Sequence, residues 1–336
     1  MMRMHFHYAW PRGILLAMVI AAADRHTGKM TLRRAHGQRP PLSPQFKPGR
    51  FSTKRGAIEL RDVVVYVDGR TENTGTLEFA AALAFEHGAH LVGVFIQPEL
   101  ALSRAEMFVR GKGIEDVVAA HQGKLGGIEA DRRALFESVA RRHGIRAEWR
   151  LVPSADSGES AVHARYGDLA VVARQDPGDQ QVGPPGLVES LILTSGRPTI
   201  VLPPRCTATP IRRILVGWNA GREATRAVAD ALPLLVRADT VEVLVVDRNG
   251  HFAGHGEEPG ADVARHLARH GAQVEVRQLS SGGKDVGRLL LSRAAAFRAD
   301  LIVIGAYGHS HLSEWIFGGV TRTALREAEL PALISR

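Results

Sequence analysis

Three glycines near the C-terminus carry the spacing with the most chemistry in it. Gly305 and Gly308 follow the apolar run Asp300-Leu-Ile-Val-Ile304, and nine residues separate Gly308 from Gly318. Glycines at a strand's carboxyl end allow a sharp turn and bring main-chain N–H groups close to a ligand. Gly318 and Gly319 then open an amphipathic helix, Val320 to Ala328, whose first N–H groups have no partner within the helix. A glycine turn facing a helix N-terminus forms a cradle for an anion, most often a phosphate. His309, Ser310, Val320 and Thr321 flank that cradle. Ser310 suits a phosphate contact or a local cap equally well. Arg322 could reach a phosphate or pair with Glu314 or Glu327. Ordinary turn glycines in an α/β fold are the plainer account of the same residues.

The elements that must position such a cradle are legible from Ile58 onward. Apolar runs at Val63–Val67, Leu91–Phe95, Ala147–Val152, Leu169–Val172 and Thr199–Leu202 are followed by a second set. That set is Ile214–Trp218, Val241–Val246, Gln273–Arg277, Leu301–Ile304 and Ala332–Ile334. Several are continuous and rich in β-branched residues, which predicts strands buried on both faces. Helical patterns separate them at Thr76–His87, Gly113–His143, Glu223–Val236, Asp262–His270 and Val286–Phe297. Strands alternating with helices predict right-handed crossovers and a parallel sheet.

The two sets repeat in detail. Tyr166-Gly-Asp-Leu-Ala-Val-Val172 matches Arg298-Ala-Asp-Leu-Ile-Val-Ile304, and Gly196-Arg-Pro-Thr-Ile-Val-Leu202 matches Glu329-Leu-Pro-Ala-Leu-Ile-Ser335. Two domains of one fold are expected, residues 58–204 and 211–336, joined by the short stiff linker Pro203–Pro210.

Charge is distributed unevenly. Residues 1–57 hold eleven Lys/Arg and one acid, Asp24, a local charge of +10; with +8 for the whole chain, residues 58–336 carry −2. The basic balance belongs to the extension and gives no reason to expect specific nucleic-acid binding by the fold. Residues 1–57 read as a disordered extension with Pro40, Pro41, Pro44 and Pro48 among basic residues. A targeting signal over Met1–Ala23 and an internal start at Met30 are the alternatives. That apolar stretch is too short to span a bilayer, so no membrane partner is expected. The lone Cys206 excludes an internal disulfide framework and fits a reducing cytoplasm.

Ile-Leu-Val-Gly-Trp-Asn219 at one first strand, Asp300-Leu-Ile-Val-Ile-Gly-Ala-Tyr-Gly-His-Ser310, Phe317-Gly-Gly-Val-Thr-Arg322 and the closing Leu330-Pro-Ala-Leu-Ile334 resemble the universal stress protein family. The resemblance covers residues 58–336 as a tandem and is weaker in the first half. It implies a doubly wound, five-stranded parallel α/β sheet of the adenine nucleotide alpha hydrolase-like kind. It also implies a site at the strands' carboxyl ends and pairing of domains through their last strands. The edges Thr199–Leu202 and Ala332–Ile334 would then meet within one chain, or pair two copies as a homodimer.

The ATP-binding branch of that family implies site residues here at Asn219, Val245, Gly305, Gly308, His309, Ser310, Gly318, Gly319, Val320 and Thr321. The ligand would be ATP or another adenine nucleotide, with Mg as its companion, or a small phosphate compound. Two departures stand out. Gly319 occupies the place of a hydroxyl residue that helps hold phosphate oxygens. Asn219 stands where an Asp is usual, and Val245 falls where the family makes an adenine contact. In the first half Gly178, Gly183 and Gly186 break the spacing, and Pro184 and Pro185 remove amide donors. That half is expected to be a degenerate partner.

Other constellations are weaker. His266 and His270 stand at i, i+4 with Asp262 one turn earlier, a metal stripe or a solvated helix face. Ser280-Ser-Gly-Gly-Lys-Asp285 lacks the P-loop spacing, and a turn capped by Asp285 explains it better. Signature motifs for serine, zinc-protease and P-loop chemistry are missing. The expectation is a stress-response protein that binds nucleotide without fast catalysis. A ligand-free interaction module and a slow ATP hydrolase are the alternatives.

Overall fold

The computed structural model describes residues 59–67, 74–97, 112–152, 157–174, 186–204, 206, 210–247, 258–306 and 319–336. The expected disordered extension over residues 1–57 lies outside them. The N-terminal half of the described chain contains β1 (Asp62–Val67), α1 (Thr74–His87), β2 (His90–Ile96), α2 (Lys112–His143) and β3 (Ala147–Val152). It continues through α3 (Ser157–Val162), a 3₁₀ turn (His163–Tyr166), β4 (Leu169–Ala173), α4 (Leu187–Thr194) and β5 (Thr199–Leu202). The C-terminal half contains β6 (Arg213–Trp218), α5 (Arg222–Leu235), β7 (Thr240–Val246), α6 (Ala261–Arg269) and β8 (Val274–Leu279). It ends with α7 (Val286–Phe297), β9 (Leu301–Gly305), α8 (Gly319–Glu327) and β10 (Ala332–Ser335).

All ten strands form one sheet in the order β3-β2-β1-β4-β5-β10-β9-β6-β7-β8. Within each half every pairing is parallel. At the seam β5 and β10 run antiparallel, with Ala332 opposite Val201, Leu333 opposite Ile200 and Ile334 opposite Thr199. The order β3-β2-β1-β4-β5 recurs in reverse as β10-β9-β6-β7-β8, so the halves are related by an approximate two-fold through that seam.

The strand sequences explain why both faces are covered. Val63, Val65, Ile214, Val216, Leu301 and Val303 enter the core under α1, α2, α5 and α6. Val64, Tyr66, Leu215, Ile302 and Ile304, their alternating neighbours, enter the core under α4, α7 and α8. A central parallel strand must be apolar on both sides, because crossover helices pack on each face.

The repeat extends to individual atoms. Asp168 Oδ2 accepts the amides of Arg61 at 2.7 Å and Asp62 at 3.0 Å. Asp300 Oδ2 accepts the amides of Arg212 at 2.9 Å and Arg213 at 2.8 Å. Each carboxylate thus fastens the start of the first strand of its half to the start of the fourth.

Two helices of the N-terminal half escape a reading by periodicity. Helix α3 is six residues of Ser157-Gly-Glu-Ser-Ala-Val, too short and too polar to show a period. Helix α4 follows Gly186 in a left-handed conformation (φ 73°), directly after the Pro184-Pro185 pair. Strand β8 runs to Leu279 rather than stopping at Arg277, because its polar residues Glu275, Arg277 and Gln278 are exposed at the sheet edge. Among the described residues no helix is long and apolar enough to cross a membrane.

Candidate functional site

The sheet order marks one switch point in each half, between β1 and β4 and between β6 and β9, and the glycine spacing belongs to the second. Strand β6 lies between β9 and β7; its chain leaves through α5 toward β7, while β9 leaves through α8 toward β10. Neighbouring strands whose crossovers depart in opposite directions open a crevice at their carboxyl ends, where α/β sheets hold ligands. Asn219 follows β6 and Gly305 ends β9, so both belong to that crevice.

At Gly305 the reason for glycine is main-chain contact. A Cβ there would lie 2.3 Å from the carbonyl carbon of Glu223 and 2.5 Å from the amide nitrogen of Ala224. The first turn of α5 therefore rests directly on the end of β9. Thr321 Oγ1 donates to the Gly305 carbonyl at 3.4 Å, and Thr321 is 2 % exposed. Its hydroxyl is turned back to the strand. This bond brings the first turn of α8 beside the end of β9, so the chain between them leaves and returns at one place.

Gly319 is the first residue of α8 and is exposed. No atom lies within 4 Å of where its Cβ would be, so no steric reason demands glycine there. Val320 is half-buried against the core under α8. Gly308, His309, Ser310 and Gly318 lie outside the described residues, as do Trp315 and Glu314.

Asn219 is exposed, and its Oδ1 accepts the Gly221 amide at 3.0 Å. That bond occupies the side-chain oxygen and not the NH₂. Ala220, the next residue, holds φ at 54°, a left-handed conformation that costs a residue with a Cβ about 1 kcal/mol. Strain of this kind collects at sites.

Val245 lies near the carboxyl end of β7, the strand beside β6. The side chain is fully buried, and its Cγ2 lies 2.9 Å from where a Cβ on Gly260 would stand. Only its main chain is at the strand's end, one strand away from the β6–β9 crevice. Alternation explains this: Val241, Val243 and Val245 share one face of β7 and pack under α6.

Sequence reasoning missed Asp247, which ends the β7 segment. Its carboxylate is 4 % exposed and accepts the Ser281 amide at 2.7 Å, tying the end of β7 to the turn after β8. The signal was available as an acid immediately after the apolar run Val241–Val246. The turn after β8 is as expected: Gly282 and Gly283 have positive φ, and Asp285 caps α7 by accepting the Arg288 amide at 2.9 Å.

The weaker constellations resolve toward structure. His266 and His270 are exposed and stack edge to face at 4.8 Å, while Asp262 pairs with Arg265 at 2.6 Å. Among the described residues no three of His, Cys, Asp or Glu converge as a metal site. Trp218 packs against the core under α5. Glu327 pairs with Arg288 at 3.4 Å. Burial pushes the Cys206 thiol up to about 11, which removes nucleophilic character at neutral pH.

A doubly wound parallel sheet defines the class of fold, and comparison shows what it is similar to. Residues 210–336 match the model of the universal stress protein family, so the C-terminal half of the chain is similar to that family. A universal stress protein from Archaeoglobus fulgidus is similar in structure over 82% of this chain and 98% of its own, with TM-score 0.61 at 15% identity. A functionally unknown protein from Pseudomonas aeruginosa is similar over 82% of this chain and 92% of its own, with TM-score 0.53 at 15% identity. Both likenesses are likenesses of fold. A further Archaeoglobus fulgidus universal stress protein, solved in complex with dAMP, overlaps 42% of this chain and 96% of its own at 16% identity. Its TM-score is 0.29. No curated protein sequence matches the chain.

Proposed function

We propose that the chain is a tandem universal stress protein, with domains at residues 58–204 and 211–336, whose C-terminal domain binds adenine nucleotide at the β6–β9 crevice. The observation that carries this reading is the Thr321–Gly305 hydrogen bond. It sets a helix N-terminus beside a strand's carboxyl end at the switch point of the C-terminal half, an arrangement suited to phosphate. The exposed Gly319 leaves room for phosphate oxygens at the first turn of α8, and the Asn219 NH₂ supplies an uncharged donor for ribose or base. The bound nucleotide contributes its own negative charge and any Mg that travels with its phosphates. The chain's part is to hold and orient it, without fast turnover. The lone high-pKa thiol suits a reducing cytoplasm, where a stress-response sensor or nucleotide buffer would work.

Calorimetry of ATP binding to the full chain, with and without magnesium, tests the reading. Measurable heat at micromolar to millimolar affinity is expected. Gly319→Ser restores a hydroxyl in open space and should tighten binding severalfold. No heat in either protein would instead favour a ligand-free interaction module.

A further inference from the structure

The N-terminal half reaches across the seam to the helix that carries the candidate phosphate end. Arg174, the residue after β4, donates through Nη1 to the carbonyl of Ala328 at 2.8 Å and to that of Leu325 at 3.4 Å. Leu325 lies in the last turn of α8 and Ala328 directly follows it. The last carbonyls of a helix have no partner within it. A guanidinium there satisfies them and sits at the negative end of the helix dipole.

Helix α8 is also held by the Thr321–Gly305 bond, by Val320 and Leu325 against the core, and by the Glu327–Arg288 pair. Thr321 and Ala324 are its buried residues. Beneath its C-terminal turn lies a small hollow between the two halves, lined by Arg174, Val201, Leu202, Ala324, Ala328 and Ala332. Nine residues of helix span only about 13 Å, so a tilt at one end moves the other. Gly319 is at that other end.

We propose that Arg174 is a positioning residue through which the N-terminal half sets the pose of α8 and so tunes the nucleotide site at its N-terminus. The inference rests on the nucleotide reading above. It gives the half with the broken glycine spacing a role: it regulates the site without holding ligand. Linkage makes the coupling reciprocal, so nucleotide at α8 must also stabilise the Arg174 end of β4.

Hydrogen exchange read by mass spectrometry on the full chain separates the parts. Without ligand, Arg174→Ala should speed exchange across α8 by about tenfold, as expected for loss of a charged hydrogen bond. Strands β9 and β10 should be unchanged, and Arg174→Lys should restore most of the protection. Unchanged α8 exchange in Arg174→Ala overturns the strut. With ATP, the wild-type chain should gain protection in both α8 and the β4–β5 segment. Arg174→Ala should bind ATP several-fold more weakly and lose the β4–β5 response. Equal ATP affinity in the two proteins overturns the tuning while leaving the nucleotide site intact. If neither protein binds ATP but α8 still loosens in Arg174→Ala, the nucleotide reading falls and the strut alone stands.

Discussion

Gly305 and Glu223 meet main chain to main chain: a Cβ on Gly305 would stand 2.3 Å from the Glu223 carbonyl carbon. Neither partner can rotate away, since both are backbone. Gly305→Ala should therefore push α5 off the end of β9 and destabilise the chain by about 1–3 kcal/mol. Urea unfolding reads this directly. In the N-terminal half, β4 ends at Ala173 where β9 ends at Gly305, so that half already tolerates a methyl there. A Gly305→Ala variant as stable as the wild type would show that α5 is not seated as described.

Glu242 is 1 % exposed in the middle of β7 and takes a two-pronged ion pair from Arg293 of α7, one prong being Nε to Oε1 at 2.7 Å. Removing the guanidinium strands a carboxylate in the core. Arg293→Ala should cost about 3–5 kcal/mol, whereas replacing both residues by apolar ones should cost far less. Thermal or urea unfolding of the single and double variants checks the difference. A single variant no worse than the double would sink this account.

Acid should weaken the fold through His87. The ring is 5 % exposed at the end of α1 and its Nδ1 has no hydrogen-bond partner. Burial, aided by the nearby Arg237 charge, lowers its pKa from 6.5 to about 4. Arg237 comes from the other half and donates to the Glu86 carbonyl at 3.1 Å. The unfolded chain takes a proton that the folded one refuses. The resulting penalty is absent above about pH 7, grows as pH falls from 6.5 toward 4, and levels off below. His87→Leu should lose less stability than the wild type between about pH 7 and pH 4.5. Parallel pH profiles would refute the assignment.

Cys206 should be slow to alkylate in the native chain at about pH 8, because burial holds its thiol near 11. Its backbone is also pinned, with the carbonyl oxygen 2.1 Å from where a Cβ on Gly75 would lie. Iodoacetamide labelling followed by intact mass should rise sharply on adding denaturant. Fast native labelling would mean the linker opens freely.

The amino-acid sequence by itself determined the alternation of strands and helices, the duplication and the place of the glycine turn. Each of these is local: β-branched runs, helical periods and an Asp-to-Pro interval that recurs. The ten apolar runs all became strands for that reason. Short α3 and α4 stayed hidden because six or eight residues carry too little periodicity to register. Only the tertiary structure decided what depends on residues far apart in the chain. The antiparallel meeting of β5 and β10 joins two half-sheets into one. The demand for glycine at 305 comes from Glu223, eighty-odd residues earlier, and not from its own neighbours. Val245 turned inward because alternation along β7 had already committed its face to the core. Asp247 and Arg174 acquired partners that no spacing in the sequence announces. Hydrophobic patterning acts over a few residues, whereas close packing and hydrogen-bond satisfaction are set by whichever segments the sheet brings side by side.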